Sequence, residues 1–219
     1  MTKIPKLFGV PRSGSTVIFN IINYLFDGAV APQKHKYFED DDGYVVATYR
    51  DFRDSCISQW RAFYGAFDEE ENKKPISEQM LAMHVFNQVT TINFLNDFKK
   101  DQLHKNRNIL FLRYETFFDS DIGDLDFEYI FETLEKFFDM KITPTQKTHI
   151  RKEYSFSSQK QKSRKFKNFH EYDKETHLHG HHLYKGTVGS WKELVPKEYH
   201  AFVNQYLGPH LNAWGYKVE

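Results

Sequence analysis

Cysteine is almost absent. Cys56 is the single one in 219 residues, so no disulfide can form within the chain; a reducing compartment is expected, with Cys56 a small buried residue. Long apolar runs are missing as well. None approaches the roughly 18 residues a spanning helix needs, and the leading MTKIPKLFGV turns to strand too early for a signal peptide. The expectation is therefore a cytoplasmic protein without a membrane span. Excess charge of either sign is also lacking: Lys+Arg and Asp+Glu number 30 each, which argues against nucleic acid as a partner. No internal repeat occurs.

Aromatic residues, by contrast, are abundant, at 17% with 21 Phe and 13 Tyr, within a hydrophobic share of 40%. Such a chain can bury a sizeable core, and its length suits one domain over residues 1–219. Strand and helix signals alternate. Lys6–Val10 reads as a strand, and the apolar positions Val17, Ile18, Ile21, Ile22 and Leu25 then recur at helical spacing up to Gly28. A second strand is expected near Val30–His35, then an acidic turn and the β-rich YVVATY of Tyr44–Tyr49. Helices follow over Phe52–Phe67 and from a Ser77 cap, with a buried strand at Asn108–Arg113 and further helices at Asp126–Phe138 and after Thr143-Pro144. The alternation implies an α/β domain with a doubly wound, mostly parallel sheet. Residues 157–189 lack clean periodicity and read as a loop or lid.

Between the first strand and helix lies Gly9-Val-Pro-Arg-Ser-Gly-Ser-Thr16, the P-loop spacing with serine at position 15 where lysine belongs. A glycine-rich turn opening a helix aims backbone N–H groups and the positive end of the helix dipole at an anion. Gly14 permits close approach, Ser15 and Thr16 add hydroxyls, and Arg12 supplies the cation. The next convincing strand ends in Arg50, where a metal-binding Asp would be expected; Asp51 is beside it. A loop without that metal partner suits an anion that needs no metal. In YRDFRDSCIS, Tyr49–Ser58, an arginine at a strand end and a serine in the next helix form a second anion clamp. Two anion sites imply a ligand with phosphates at both ends.

PRSGST, YRDFRDSCIS, FLRYETFF and YKGTVGSWKE, in this order from Pro11 to Glu193, resemble the sulfotransferases that use 3′-phosphoadenosine-5′-phosphosulfate (PAPS). The resemblance implies a fold with a P-loop-like phosphosulfate loop and a sulfuryl transfer needing no metal. It implies that Arg12, Ser13, Gly14, Ser15 and Thr16 take the 5′-phosphosulfate. Arg50 and Ser58 match the pair that holds the 3′-phosphate, and Tyr114 an adenine-contacting tyrosine. Lys185 and Gly186 match a late basic loop that closes over the donor, and Phe156 offers a stacking face for adenine. His35, in PQKHKYF, matches the catalytic base of cytosolic members, with Glu39 the alternative; Arg12 and Ser58 complete the catalytic set. Departures are Tyr184 for an arginine, Ser190 for an aspartate and Val17 for a stacking aromatic. The acceptor implied is a small molecule or glycan.

Two other readings remain from the residues: a P-loop kinase or nucleotide hydrolase with a displaced cation, and a catalytically silent nucleotide-binding scaffold. The cluster His177, His179, His181 and His182 invites a metal, yet it runs straight into the closing loop, where contact with phosphate or acceptor is the stronger expectation. The basic run Lys160–Lys167 reads as a solvated segment.

Overall fold

The computed structural model describes residues 4–30, 35–36, 43–64, 76–180, 183 and 186–218. Lys6–Gly9 (β1), Val45–Tyr49 (β2) and Ile109–Arg113 (β3) form a parallel sheet in the order β1-β2-β3, with Leu7 opposite Val46 and Val46 opposite Leu110. The strands are near-continuous apolar runs because both faces of the sheet are covered. Alternation assigns Phe8, Val45 and Ala47 to one face and Leu7, Val46 and Leu112 to the other.

On the first face pack Phe52–Tyr64 (α2), Glu78–Lys105 (α3) and His200–Ala213 (α9), through Cys56, Ile57, Leu95, Phe98 and Leu207 among others. The second face receives Ser15–Leu25 (α1), Phe127–Phe138 (α5) and Pro144–Tyr154 (α6), through Ile18, Ile22, Phe131, Leu134 and Ile150. Helices on both faces of a parallel sheet make the doubly wound arrangement that the sequence implies. The remaining elements are a short helix Tyr114–Phe117 (α4), the two-stranded pair Phe118–Asp119 (β4) and Asp124–Leu125 (β5), and helices Phe156–Ser163 (α7) and Trp191–Leu194 (α8).

Local signals set several boundaries. Ser77 caps α3 by accepting from the Met80 N–H, and Thr143 with Gln146 closes a full capping box with Pro144 in the first turn of α6. The expected strand at residues 30–35 falls mostly outside the described residues, as does the end of the expected 52–67 helix. The aperiodic stretch from 157 onward differs from a plain loop, since its first part lies in α7. That helix buries only Gln159 and Ser163, so it carries no apolar stripe for periodicity to reveal.

Candidate active site

The loop from Val10 to Gly14 leaves β1 and enters α1 with Arg12 at φ 69° and Gly14 at φ 76°, both left-handed. A Cβ on Gly14 would meet the Phe117 ring at 2.9 Å and one on Gly9 would meet Ser15, so both glycines are required for the close path. Ser13 holds the turn: its hydroxyl donates to the Val10 carbonyl at 2.6 Å and lies 2.7 Å from Thr48 Oγ1, and its N–H donates to the same Val10 carbonyl. Ser13 therefore shapes the loop and lines neither of the two cavities that meet there.

Arg12, Gly14 and Thr16 are common to both cavities. The first is lined by Arg50, Ser58 and Arg61 together with the aromatic rings of Tyr114, Phe118 and Phe156. Arg12 Nε donates to Ser58 Oγ at 3.1 Å, so the serine lies between the first loop and α2. Arg50 follows the end of β2; one terminal nitrogen donates to the Thr187 carbonyl at 2.6 Å and sits 3.5 Å from Asp54, while the guanidinium lies 4.5 Å over the Tyr114 ring. Its Nε is buried and meets no partner among the described residues. Desolvation and then the neighbouring Arg50 charge lower the Arg12 pKa to about 10. Two guanidiniums withdrawn from water side by side disfavour each other's charge, and an anion between them reverses that penalty. No carboxylate stands on this cavity's wall among the described residues.

Asp54 lies beneath the wall with no exposed surface. It accepts from the Gly189 N–H at 2.6 Å, the Trp191 N–H at 3.0 Å and the Ser190 hydroxyl at 3.3 Å. Ser190 stands where the resemblance would put an aspartate, and a carboxylate there would confront Asp54; the serine donates to it instead. Gly186, at φ 68°, packs so closely on Phe118 that a Cβ would come within 2.3 Å of the ring, and its carbonyl accepts from the Tyr114 hydroxyl at 3.3 Å. Burial raises the Tyr114 pKa to about 12, so the hydroxyl keeps its proton for that bond. Tyr114 stacks on Phe118 with planes 11° apart, and Phe156 meets Phe118 edge-on, which makes an aromatic stretch of the cavity wall. Val17 lines it as well, without the aromatic ring that the resemblance would supply.

His35, His177, His179 and Gln59 stand on the wall of the second cavity together with Arg12 and Thr16. His35 is exposed, and its Nδ1 lies 2.7 Å from the Gly9 carbonyl. A carbonyl oxygen can only accept, so Nδ1 carries a proton, and the neutral tautomer this bond selects has its lone pair on Nε2. Glu39 and Lys185 lie outside the described residues, as do His181 and His182. Among the described residues no group of His, Cys, Asp and Glu is arranged to hold a metal. Asp51, adjacent to Arg50, is gripped by Arg53 through contacts of 3.0 and 2.7 Å.

Arg61 and Asp54 were not predicted from the sequence. With Ser58 they share one face of α2 at i, i+4 and i+7 spacing, which was the available signal. The His179 side chain is likewise a wall residue that the sequence marked only as part of a cluster.

The family described as "Sulfotransferase domain" matches residues 29–215, a span that begins after the first loop. No curated protein matches the sequence. Among solved structures, the chain is similar to mouse sulfotransferase SULT7A1 complexed with PAP, at TM-score 0.62 and 13% identity over 96% of this chain and 85% of that one. It is similar also to retinol dehydratase in complex with retinol and PAP, at TM-score 0.62 and 14% identity over 100% of this chain and 83% of that one. A complex of retinol dehydratase with androsterone and the inactive cofactor PAP gives TM-score 0.59 at 13% identity, over 99% and 82% of the two chains. At these identities the likeness is one of fold.

Proposed function

Since the chain belongs to the sulfotransferase domain family, we propose that it moves a sulfuryl group from PAPS to a hydroxyl or amine of a small-molecule or glycan acceptor. One observation carries this reading: Arg12, Arg50 and Arg61 line a single cavity together with the rings of Tyr114, Phe118 and Phe156. A ligand with anions at two ends and a heteroaromatic base answers all of these features. The solved structures of similar fold contain PAP, and two of them contain androsterone or retinol beside it.

In this reading the 5′-phosphosulfate rests on Arg12, Gly14, Ser15, Thr16 and the N-terminus of α1, while the 3′-phosphate meets Arg50, Ser58 and Arg61. Adenine packs toward Tyr114, Phe118 and Phe156. Lys185 is assigned to the donor by resemblance. The acceptor oxygen attacks sulfur in line. As that O–S bond forms, the S–O bond to the 5′-phosphate breaks, and its electron pair leaves on the phosphate oxygen beside Arg12. Fixed donors at the place where charge develops lower the barrier without reorganising. The acceptor proton passes to His35 Nε2, which the Nδ1–Gly9 bond leaves as the basic nitrogen.

Incubation with sulfur-labelled PAPS and a panel of alcohols, phenols, amines and sugars tests the reading. Label appears on at least one acceptor class, and the bisphosphate accumulates in step. If no acceptor takes label, the reading is overturned. His35→Ala lowers kcat on the order of 10²–10⁴-fold while donor binding persists; an unimpaired variant moves the base to Glu39.

A further inference from the structure

Helix α6 ends at Tyr154, and the last carbonyls of a helix have no partner within it. One of them, the Glu153 carbonyl, accepts from Gln159 Nε2 at 2.8 Å and from Lys162 Nζ at 3.2 Å, both on α7. Ser155 closes α6 and caps α7 by accepting from the Ser158 N–H, and the Phe156 N–H donates to the Asp124 carboxylate at 2.7 Å. The start of α7 is thereby tied to α6 and to β5. Phe156 and Gln159 stand one turn apart on that helix, and both line the first cavity.

Gln159 is 5% exposed, and its amide has one orientation. The Glu153 carbonyl can only accept, so the amide nitrogen faces it and Oε1 takes the other arm. No donor among the described residues reaches that oxygen. The other polar side chains on this wall are guanidiniums, which only donate, and hydroxyls, such as those of Thr16 and Tyr154, which donate and accept alike. Among the described residues Gln159 is thus the one lining the cavity with a side-chain atom that accepts and cannot donate. A hydroxyl turns to suit an amine or a carbonyl and does not tell them apart; an amide oxygen held in place by its own nitrogen does. Apolar groups share the wall, among them Val17, Leu125 and Leu178, the last from a fold-back in which Tyr172 bridges His179 in antiparallel fashion.

We propose that Gln159 Oε1 accepts a hydrogen bond from the exocyclic amine of the donor's base, so that the protein selects a 6-aminopurine over a 6-oxopurine. The inference rests on the PAPS reading above and names the residue that sets the choice of base. Side chains three apart on a helix have Cβ atoms about 5–6 Å apart, so a purine packed on Phe156 extends to Gln159. With adenine, the amine donates to Oε1. Hypoxanthine puts a carbonyl in that place; two acceptors then meet, and the buried amide oxygen is left without its bond.

Calorimetric titration with the 3′,5′-bisphosphates of adenosine, purine riboside and inosine tests this and needs no acceptor. The wild type binds the adenosine compound about tenfold or more tighter than the inosine one, with purine riboside, which carries nothing at position 6, between them. Gln159→Met keeps the side-chain length and removes the oxygen, and it binds all of them alike. Gln159→Glu keeps acceptor oxygens but loses the N–H that meets the Glu153 carbonyl; its charge weakens binding of every bisphosphate, and the order of the three persists. A side chain that only tied α7 to α6 would make the two variants behave alike, since both lose that tie. Equal binding of adenosine and inosine compounds by the wild type, or purine riboside bound as tightly as adenosine, overturns the inference while the donor reading stands. So does an order that survives in Gln159→Met or is lost in Gln159→Glu. Should Gln159→Met fail to fold, the wild-type series and Gln159→Glu decide. A wild type that binds none of the three overturns the donor reading, and the inference with it.

Discussion

Asp54 holds the late loop to α2 through one carboxylate. Its carboxylate, itself fully buried, takes the N–H groups of Gly189 and Trp191 and faces Arg50. Removing it leaves the buried Arg50 with only the Thr187 carbonyl and takes the acceptor from the Gly189 and Trp191 N–H groups, and breaking such a buried pair costs about 3–5 kcal/mol. Asp54→Ala should therefore lower the urea midpoint by that equivalent and weaken bisphosphate binding at the same time, because Gly186, Thr187 and Ser190 also line the cavity proposed for the donor. A variant with wild-type stability would show that the carboxylate holds nothing. In the sequence Asp54 is legible only as the middle of a motif, four residues after Arg50. Its loop partners lie more than 130 residues away, and spacing along one chain carries no record of such a contact. Arg12 and Arg50 were legible because each sits at a strand end or loop beside a helix start, which is a local signal. The Ser13 hydroxyl, in the same motif, closes the turn onto Val10 and Thr48.

At the level of elements, two connecting segments make the walls that the sheet and helices leave open. The first, from Gly186 to Trp191, needs Gly186 in the left-handed region against Phe118. Gly186→Ala brings a Cβ to 2.3 Å from that ring and forces an unfavourable φ, at a cost of about 1–3 kcal/mol. Its expected result is a lower melting temperature together with a loss of bisphosphate affinity; unchanged affinity by calorimetry would detach this loop from the donor. The second segment is the Tyr172–His179 fold-back, organised by Asp173. The Thr176 N–H and hydroxyl hold the Asp173 carboxyl below its ordinary pKa, joined by the Glu175 N–H. A depressed value means that the stabilisation is complete above pH about 4, the unfolded carboxyl's range, and is lost as pH falls through the folded value. The melting-temperature difference between wild type and Asp173→Ala should thus be constant from pH 7 to about 5 and shrink toward pH 3. A difference that grows on acidification contradicts the assignment. Helices with caps and apolar stripes, such as α3 and α6, were readable in advance, whereas α7 and this fold-back lacked a stripe and were not.

For the molecule as a whole, the parallel sheet gathers both arginine clamps at the carboxyl ends of its strands, where Arg50 follows β2 and the first loop follows β1. That is the general place for ligands on open α/β sheets. The fold was therefore legible, and strand–loop–helix order also marks the positions of Arg12 and Arg50. The second cavity was less so, because its wall is assembled from Gln59 of α2, the exposed His35 and the distant fold-back. The central claim is that arginines, and not a lysine with a metal-bearing aspartate, neutralise the ligand at the first loop. Asp51, the aspartate nearest the expected metal position, is already bound by Arg53. A thermal-shift titration in the presence of EDTA tests this most directly, since a ligand present at 100 times its Kd stabilises the folded state by about 2.7 kcal/mol. The account predicts that 3′,5′-adenosine bisphosphate raises the melting temperature without divalent metal, and that Arg50→Ala abolishes the rise. A protein that responds to Mg-ATP and not to the bisphosphate would contradict it.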